Sequence, residues 1–451
     1  MRKYGFKICL LLLAYLTIFS CDSTTEDSTD LDQLLNEALI NASGGVGLDY
    51  YLLPESSDLT AIPQDPKNPL TNEKVALGQH LFHETAMGND PDFSKGLTTF
   101  SCSSCHHADA GFASGLKQGM GEGGIGFGMA GEGREKDPEY PFKAVDVQPI
   151  KTPSSLNVAY QKNMLFNGQF GATGKNVDTE YAWLVNTPRE LNYLGLEGTE
   201  TQAIASMKTH RMKMTREFVE KFPVYKTLFD QAFPNLTEDK RYNDTTAGMA
   251  MAAYQRTLLP TQSPFQQWLK GNTGALDQKS KEGALLFFTK AGCYSCHNGP
   301  AFNSMEFYAL GMKDLYEAGN EILNSSRFSL ENKGRGGFTE KAEDMFKFKV
   351  PQLYNLKDIR FFGHGASFSS VKEVVIYKNL ANPQNTNVTA GQLSGEFKPL
   401  ELTPLEVNKI ISFLEEGLYD PDLQRYVPKS LPSGNCFPNN DPKSVADLNC
   451  K

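Results

Sequence analysis

Cys102-Ser103-Ser104-Cys105-His106 and Cys293-Tyr294-Ser295-Cys296-His297 are two copies of one short pattern, Cys-x-x-Cys-His. Two thiols three positions apart on one turn reach the two vinyl groups of a single porphyrin. The histidine that follows then points its imidazole at the iron as the proximal ligand. Two copies imply two covalently bound c-type haems. Zinc would need a fourth ligand for each Cys-Cys-His set, and a thiol redox site would need a βαβ surround that the flanking residues do not suggest.

Moving outward, Val75-Ala76-Leu77-Gly78-Gln79-His80-Leu81-Phe82 precedes the first motif, and Lys281-Glu282-Gly283-Ala284-Leu285-Leu286-Phe287 precedes the second. Both contain Gly-x-x-Leu-Phe, and positions 75, 78, 81 and 82 carry helical periodicity. Each copy also has a candidate closing helix. Thr403-Pro404-Leu405-Glu406 reads as a capping box with proline at the first helical position. An apolar stripe of Val407, Ile410, Ile411 and Leu414 follows, and Gly417 stops it. Thr245 to Leu259 plays the same part for the first copy. Alternation of the strand type is scarce, and Gly (39) and Pro (24) are plentiful. The expected fold is therefore mainly α: two cytochrome c-like helical domains, each enclosing one covalently bound haem, joined and decorated by long irregular loops.

The 451 residues carry a formal net charge of -9 and no basic stripe, which excludes nucleic acid as a partner. Arg2, Lys3 and Lys7 followed by the apolar run Ile8 to Phe19 read as an export signal too short to span a bilayer. Ile18-Phe19-Ser20-Cys21 resembles a bacterial lipobox, making Cys21 the expected lipidation site and the membrane contact a lipid only. Asp22 to Asp30 is polar and reads as a disordered tether. Of the eight cysteines, Cys9 and Cys21 fall in the signal and four in the haem motifs. Cys436 and Cys450 remain, and in an exported protein they are expected to form a disulfide, with two free thiols as the alternative. The expected partition is residues 1–21 signal, 22–65 flexible tether and N-terminal extension, 66–262 first haem domain, 263–425 second haem domain, and 426–451 tail.

The chain resembles the bacterial di-haem cytochrome c peroxidase family, which includes the MauG-type enzymes. The resemblance covers roughly residues 70 to 425. It rests on an ordered set of blocks: Leu81-Phe82 through His106; Lys151-Thr152-Pro153-Ser154-Ser155-Leu156-Asn157; Phe166-Asn167-Gly168-Gln169; Gln255-Arg256-Thr257-Leu258 with Ser263-Pro264-Phe265; Gly292 through Pro300; and Val350-Pro351-Gln352-Leu353-Tyr354-Asn355-Leu356, ending at His364-Gly365. It implies a division of labour. Peroxide is reduced to water at the N-terminal haem, and the C-terminal haem relays electrons from a small redox protein, a cytochrome c or a cupredoxin. A non-catalytic di-haem electron-transfer protein and a MauG-like oxidase of a protein or organic substrate are the alternatives. The resemblance also implies a periplasmic or cell-envelope location and a possible homodimer.

His106 and His297 are then the proximal ligands, and Gln202-Ala203 matches the family's distal Gln-Ala pair. The family's distal glutamate falls on Met212, so His210 is the expected acid–base group, with Glu197 and Glu200 as the other candidates. The family's inter-haem tryptophan falls on Phe166, a poor site for a transient radical, which weakens long-range oxidation of a partner. The distal ligand of the C-terminal haem falls on Lys378, or on Tyr377 after a one-residue gap; Tyr377 is taken, with Met345 and Met312 as alternatives. The family's calcium positions fall on Lys151, Ile359 and Phe361, and the charge of Lys151 argues against calcium. No histidine lies between His107 and His210, so the N-terminal iron is expected to be open unless Met120, Met129 or His107 closes it. Gly126-Phe127-Gly128-Met129-Ala130-Gly131 matches a dinucleotide fingerprint but lacks the preceding strand, and is expected to be a flexible loop near the haem mouth.

Overall fold

The computed structural model describes residues 24–450; the segment expected to be an export signal, with Cys9 and Cys21, lies outside the described residues. The chain is mainly helical. Its strands are two-residue antiparallel pairs: β1 (Gly124–Ile125) with β2 (Glu135–Lys136), and β3 (Phe307–Tyr308) with β4 (Phe348–Lys349).

Seven helices position the sites: α1 (Thr24–Ala42), α2 (Asn72–His83), α3 (Gly198–Thr209), α4 (Asp244–Arg256), α5 (Gln278–Phe288), α6 (Val371–Leu380) and α7 (Pro404–Ser412). Their starts follow the local chemistry. Thr71 accepts from the Lys74 amide, Asp277 from the Ser280 amide, and Thr403 pairs with Glu406 in the expected capping box. Leu77, Leu81 and Phe82 of α2 are buried, and so are Ala284 and Phe287 of α5. Each large apolar side chain so buried contributes roughly 1.5–3 kcal/mol. The repeated glycine has a matched purpose. A side chain at Gly78 would strike the Ala250 carbonyl of α4, and one at Gly283 would strike the Lys409 carbonyl of α7. Both helix pairs therefore cross backbone to backbone.

Two large apolar cores result. One gathers α2, α3, α4 and the segment from Phe218 to Tyr242; the other gathers α5, α6 and α7 around Phe265, Phe302 and Phe413. The termini cross over between them. The stretch expected to be a flexible tether is instead helical from Thr24, and Leu35 and Leu39 of α1 are fully buried in the C-terminal core. Asp32 accepts from the Trp268 indole at 2.7 Å and pairs with Lys281 at 2.6 Å. A polar composition hid an apolar stripe that a neighbouring helix covers. In return Leu423 and Tyr426 pack into the N-terminal core, and the tail beyond them lies against the first motif. Cys436 and Cys450 are joined, closing a loop of sequence separation 14.

That tail also accounts for the glycine-rich decoy. Asp441 accepts from the Gly126 amide, and Asp447 from the amides of Phe127 and Gly128. The loop expected to be flexible is thus pinned, with the chain's own carboxylates on the amides that a phosphate would use.

Candidate functional site

The two motifs sit on one-turn helices, Cys102–Ser104 and Cys293–Ser295, and the chain after each folds back on itself. Isolated bridges close these returns, His107 to Ala113 and Asn298 to Asn303. Each return turns on a phenylalanine in the left-handed region, Phe112 (φ 53°) and Phe302 (φ 47°), and both are fully buried. The strained backbone aims a carbonyl at the histidine. Phe112 O lies 3.1 Å from His106 Nδ1, and Phe302 O lies 3.1 Å from His297 Nδ1. Ser155 Oγ also approaches His106 Nδ1 (3.2 Å), and Pro351 O approaches His297 Nδ1 (3.1 Å). With Nδ1 engaged as a donor, Nε2 is left as the lone-pair nitrogen of each ring. Burial holds both imidazoles down at about 4, so they are neutral and fit to ligate.

The cysteines are free thiols in the structure. Burial pushes Cys102, Cys105 and Cys293 up to about 12, far from the depressed values of reactive thiol–disulfide sites. Among the described residues no group of three or more His, Cys, Asp or Glu side chains is gathered to hold a bare metal ion. The motifs therefore have neither the donor set of a zinc site nor the depressed thiol of a redox pair among the described residues.

A cavity of about 180 Å³ opens beside the first motif. Cys102, Cys105, His106, Gln202 and His210 line it, with Phe82, Phe100, Met164, Phe166 and Met251 among its apolar walls. Gln202, Ala205, Ser206 and Thr209 all face it, the i, i+3, i+4, i+7 face of α3. His210 caps the end of that helix. Apolar walls, paired thiols and an imidazole with a free Nε2 suit a porphyrin. The cavity is not lined by Met120, Met129 or His107; Met129 points outward and is 87% exposed.

Glu197 and Glu200 do not reach this cavity. They lie off the lining face of α3 and clasp the buried Arg256 guanidinium: Glu200 at 2.6 Å and Glu197 at 3.1 Å. Glu197 is therefore a structural carboxylate here, because a buried arginine must be paired. The group that sequence reading missed is Asp146. It lines the cavity, is 6% exposed, and accepts from His210 Nδ1 at 2.9 Å. Burial alone would lower the His210 imidazole, but the Asp146 carboxylate more than reverses this and holds it above its ordinary value. No local motif signals Asp146, which lies 64 residues away in sequence.

The second site differs. Tyr377 is not presented to it: its hydroxyl donates to Leu310 O at 2.5 Å and its ring packs between Phe368 and Phe397. Its neighbour Lys378 is the one whose charge acts on Cys293, Cys296 and His297. Consecutive residues of a helix point about 100° apart, so the two cannot share a direction. An open groove lined by Tyr308, Met345, Lys347 and residues 391–396 adjoins this region. Phe166 is linked to the strand β4 that leads toward the second motif. It lines the first cavity, and its carbonyl accepts from the Lys349 amide of β4 at 2.8 Å. Of the calcium positions, Lys151 is buried and its ammonium donates to Thr152 O.

A family model described as di-haem cytochrome c peroxidase matches residues 72–274. The methylamine utilization protein MauG of Methylorubrum extorquens is 28% identical over 363 residues, 80% of this chain and 82% of that protein. Cytochrome-c peroxidase IdrP1 of Denitromonas iodatirespirans is 26% identical over 380 residues, 80% of this chain and 86% of that protein. Among solved structures, a MauG-like protein associated with microbial copper homeostasis has the same fold, with a TM-score of 0.56 and 21% identity over 82% of this chain and 95% of that one.

Proposed function

This chain belongs to the di-haem cytochrome c peroxidase family, and from that premise we propose that it reduces hydrogen peroxide to water in the Gln202–His210 cavity with electrons received at the second site. The family implies two c-type haems. Cys102 and Cys105 would hold one by thioether bonds with His106 as its axial base, and Cys293, Cys296 and His297 the other. The haem supplies a redox-active iron; the protein supplies position and protons.

The observation that carries this reading is the convergence of His106, Gln202 and an Asp146-paired His210 on one cavity. Asp146 accepts the hydrogen bond from His210 Nδ1–H and fixes that tautomer, which leaves Nε2 as the free base. His210 can then accept a proton from peroxide and return it to the departing oxygen. The Gln202 amide orients the peroxide by hydrogen bonding. Electrons would leave the second site by a short bonded route: His297 Nδ1 to Pro351 O, along the chain to Lys349, then the Lys349 amide to Phe166 O. This route uses the Phe166 backbone and needs no radical on its ring, which favours peroxide turnover over MauG-like oxidation of a partner.

The donor is a small redox protein, and it would meet the second motif, where Ser295 is exposed. Among the described residues no helix is long and apolar enough to cross a membrane. Export and attachment to the envelope through a lipid on Cys21 complete the reading.

The test is the ferric holoprotein, made in a host competent for haem ligation. The mass should be the polypeptide plus two porphyrins. Peroxide should change the spectrum of the oxidised or the half-reduced protein. An unchanged spectrum in both states, with both irons six-coordinate, overturns the catalytic reading.

A further inference from the structure

Three lysines are buried among the described residues, and two of them are explained by their partners. Lys281 pairs with Asp32 at 2.6 Å. Lys349 donates to Gln161 Oε1 at 2.5 Å and to Asn163 O at 2.6 Å. The third, Lys151, is 5% exposed, and its three ammonium protons find one acceptor, the carbonyl of the next residue at 3.1 Å. Burying an ammonium without a counter-charge costs several kcal/mol, so such a group calls for an anion. Burial accordingly drags the amine down to about 8, and no carboxylate opposes the shift.

The position of Lys151 says which anion. It lines the first cavity, and no other lysine or arginine among the described residues does. The acidic side chains in the lining are Asp146, already engaged with His210, and Glu331. A haem brings two further carboxylates, its propionates, into this space. The backbone of Lys151 is held as well: its amide donates to His364 O at 2.9 Å, and His364 is in turn paired with Asp314 at 3.0 Å. The ammonium is therefore carried on a segment anchored to the C-terminal half, beside the proximal residues Pro153 and Ser155.

We propose that Lys151 is the counter-ion of a propionate of the N-terminal haem, and that its charge raises the reduction potential of that iron. This rests on the reading of the first motif as a haem site. No bond is made or broken; the lysine exchanges a weak carbonyl contact for a charge-assisted hydrogen bond. A fixed cation favours the state with one more electron, so removing it favours the ferric form.

The experiment is spectroelectrochemical titration of the two haems in wild-type holoprotein, Lys151→Met and Lys151→Arg. In Lys151→Met the N-terminal potential should fall by at least the equivalent of a tenfold change in the reduction equilibrium, about 59 mV for one electron, with the C-terminal potential nearly unmoved. Lys151→Arg should restore most of the fall. If the methionine variant does not fold, Lys151→Gln keeps the length and polarity and removes the charge. An N-terminal potential unchanged in the neutral variants overturns the proposal, and so does an equal fall at both haems. A wild-type protein that carries no porphyrin on Cys102 and Cys105, seen by peptide mass, overturns instead the haem reading beneath it.

Discussion

The two Cys-x-x-Cys-His regions are built alike and finished differently. Each follows a helix with a glycine packed on a backbone carbonyl, and each turns on a left-handed phenylalanine whose carbonyl faces the histidine. The first is then roofed. Ser101 and Ser104 donate to Pro438 O of the tail, at 2.9 and 3.2 Å, and Ser103 is fully buried. Among the described residues the second motif has no such roof, and Ser295 is exposed. The first also has a cavity with an Asp–His pair and a glutamine, whereas the second has Lys378 and an open groove. One motif thus serves both a sheltered site and an accessible site, the asymmetry on which the proposed division into peroxide chemistry and electron entry rests.

The sharpest way to break this comparison is to remove one attachment at a time. Cys102→Ala with Cys105→Ala should leave one porphyrin by mass and bring peroxide turnover to background. Cys293→Ala with Cys296→Ala should also leave one porphyrin, but peroxide should still perturb the remaining spectrum while donor-driven turnover is lost. If the second pair of changes abolishes the peroxide response, the roles are reversed.

The roof is the next target. Cys436→Ser with Cys450→Ser opens a loop of sequence separation 14. In the chain-entropy account this costs about 3 kcal/mol, seen as a lower midpoint in denaturant unfolding. Native-state proteolysis should find the new weak point in the 84–134 region, around the first motif; cleavage confined to the second half would contradict the described packing.

His210→Ala should slow peroxide reduction by about 100-fold or more, as for a lost acid–base group. Asp146→Asn should have a smaller effect with a distinctive sign. Asp146 holds the His210 imidazole above its ordinary value, so its loss lowers that value. The rising limb of the pH–rate profile, which reports the neutral base, should move to lower pH. A limb that stays in place would assign the proton transfer elsewhere.

The smallest effect tests the shared scaffold. Gly78→Ala and Gly283→Ala each force a methyl against a backbone carbonyl, and each should cost about 1–3 kcal/mol. Thermal melts read at each haem band should show the first change loosening mainly the first site and the second change the other. Equal loosening of both by either change would mean that the two cores unfold as one.

Some features were legible because they are local. The motifs, the Gly-x-x-Leu-Phe repeat and the Thr403 capping box each lie within a few residues, and the helices formed where their periodicity and caps indicated. The left-handed phenylalanines escaped notice for a simple reason. Phe112 follows its histidine by six positions and Phe302 follows by five, so the repeat is out of step in sequence while matched in space. Gln202 is expected from the family resemblance and His210 from its nearness to Met212, where the family has its glutamate; that both line one cavity follows from their places on and at the end of α3.

Taken alone, the sequence determined the chemistry that short spacing can encode: two places for a haem, mainly helical surroundings and a pair of tail cysteines able to bridge. Only the tertiary structure decided that Asp146 backs His210 while Glu197 and Glu200 clasp Arg256, that Tyr377 turns to Leu310, and that each end of the described chain packs on the opposite half. The physical reason is the range of the interactions. Propensity and capping act over a turn of helix, whereas pairing a buried charge or covering an apolar stripe draws on whatever partner the fold brings near, at any distance along the chain.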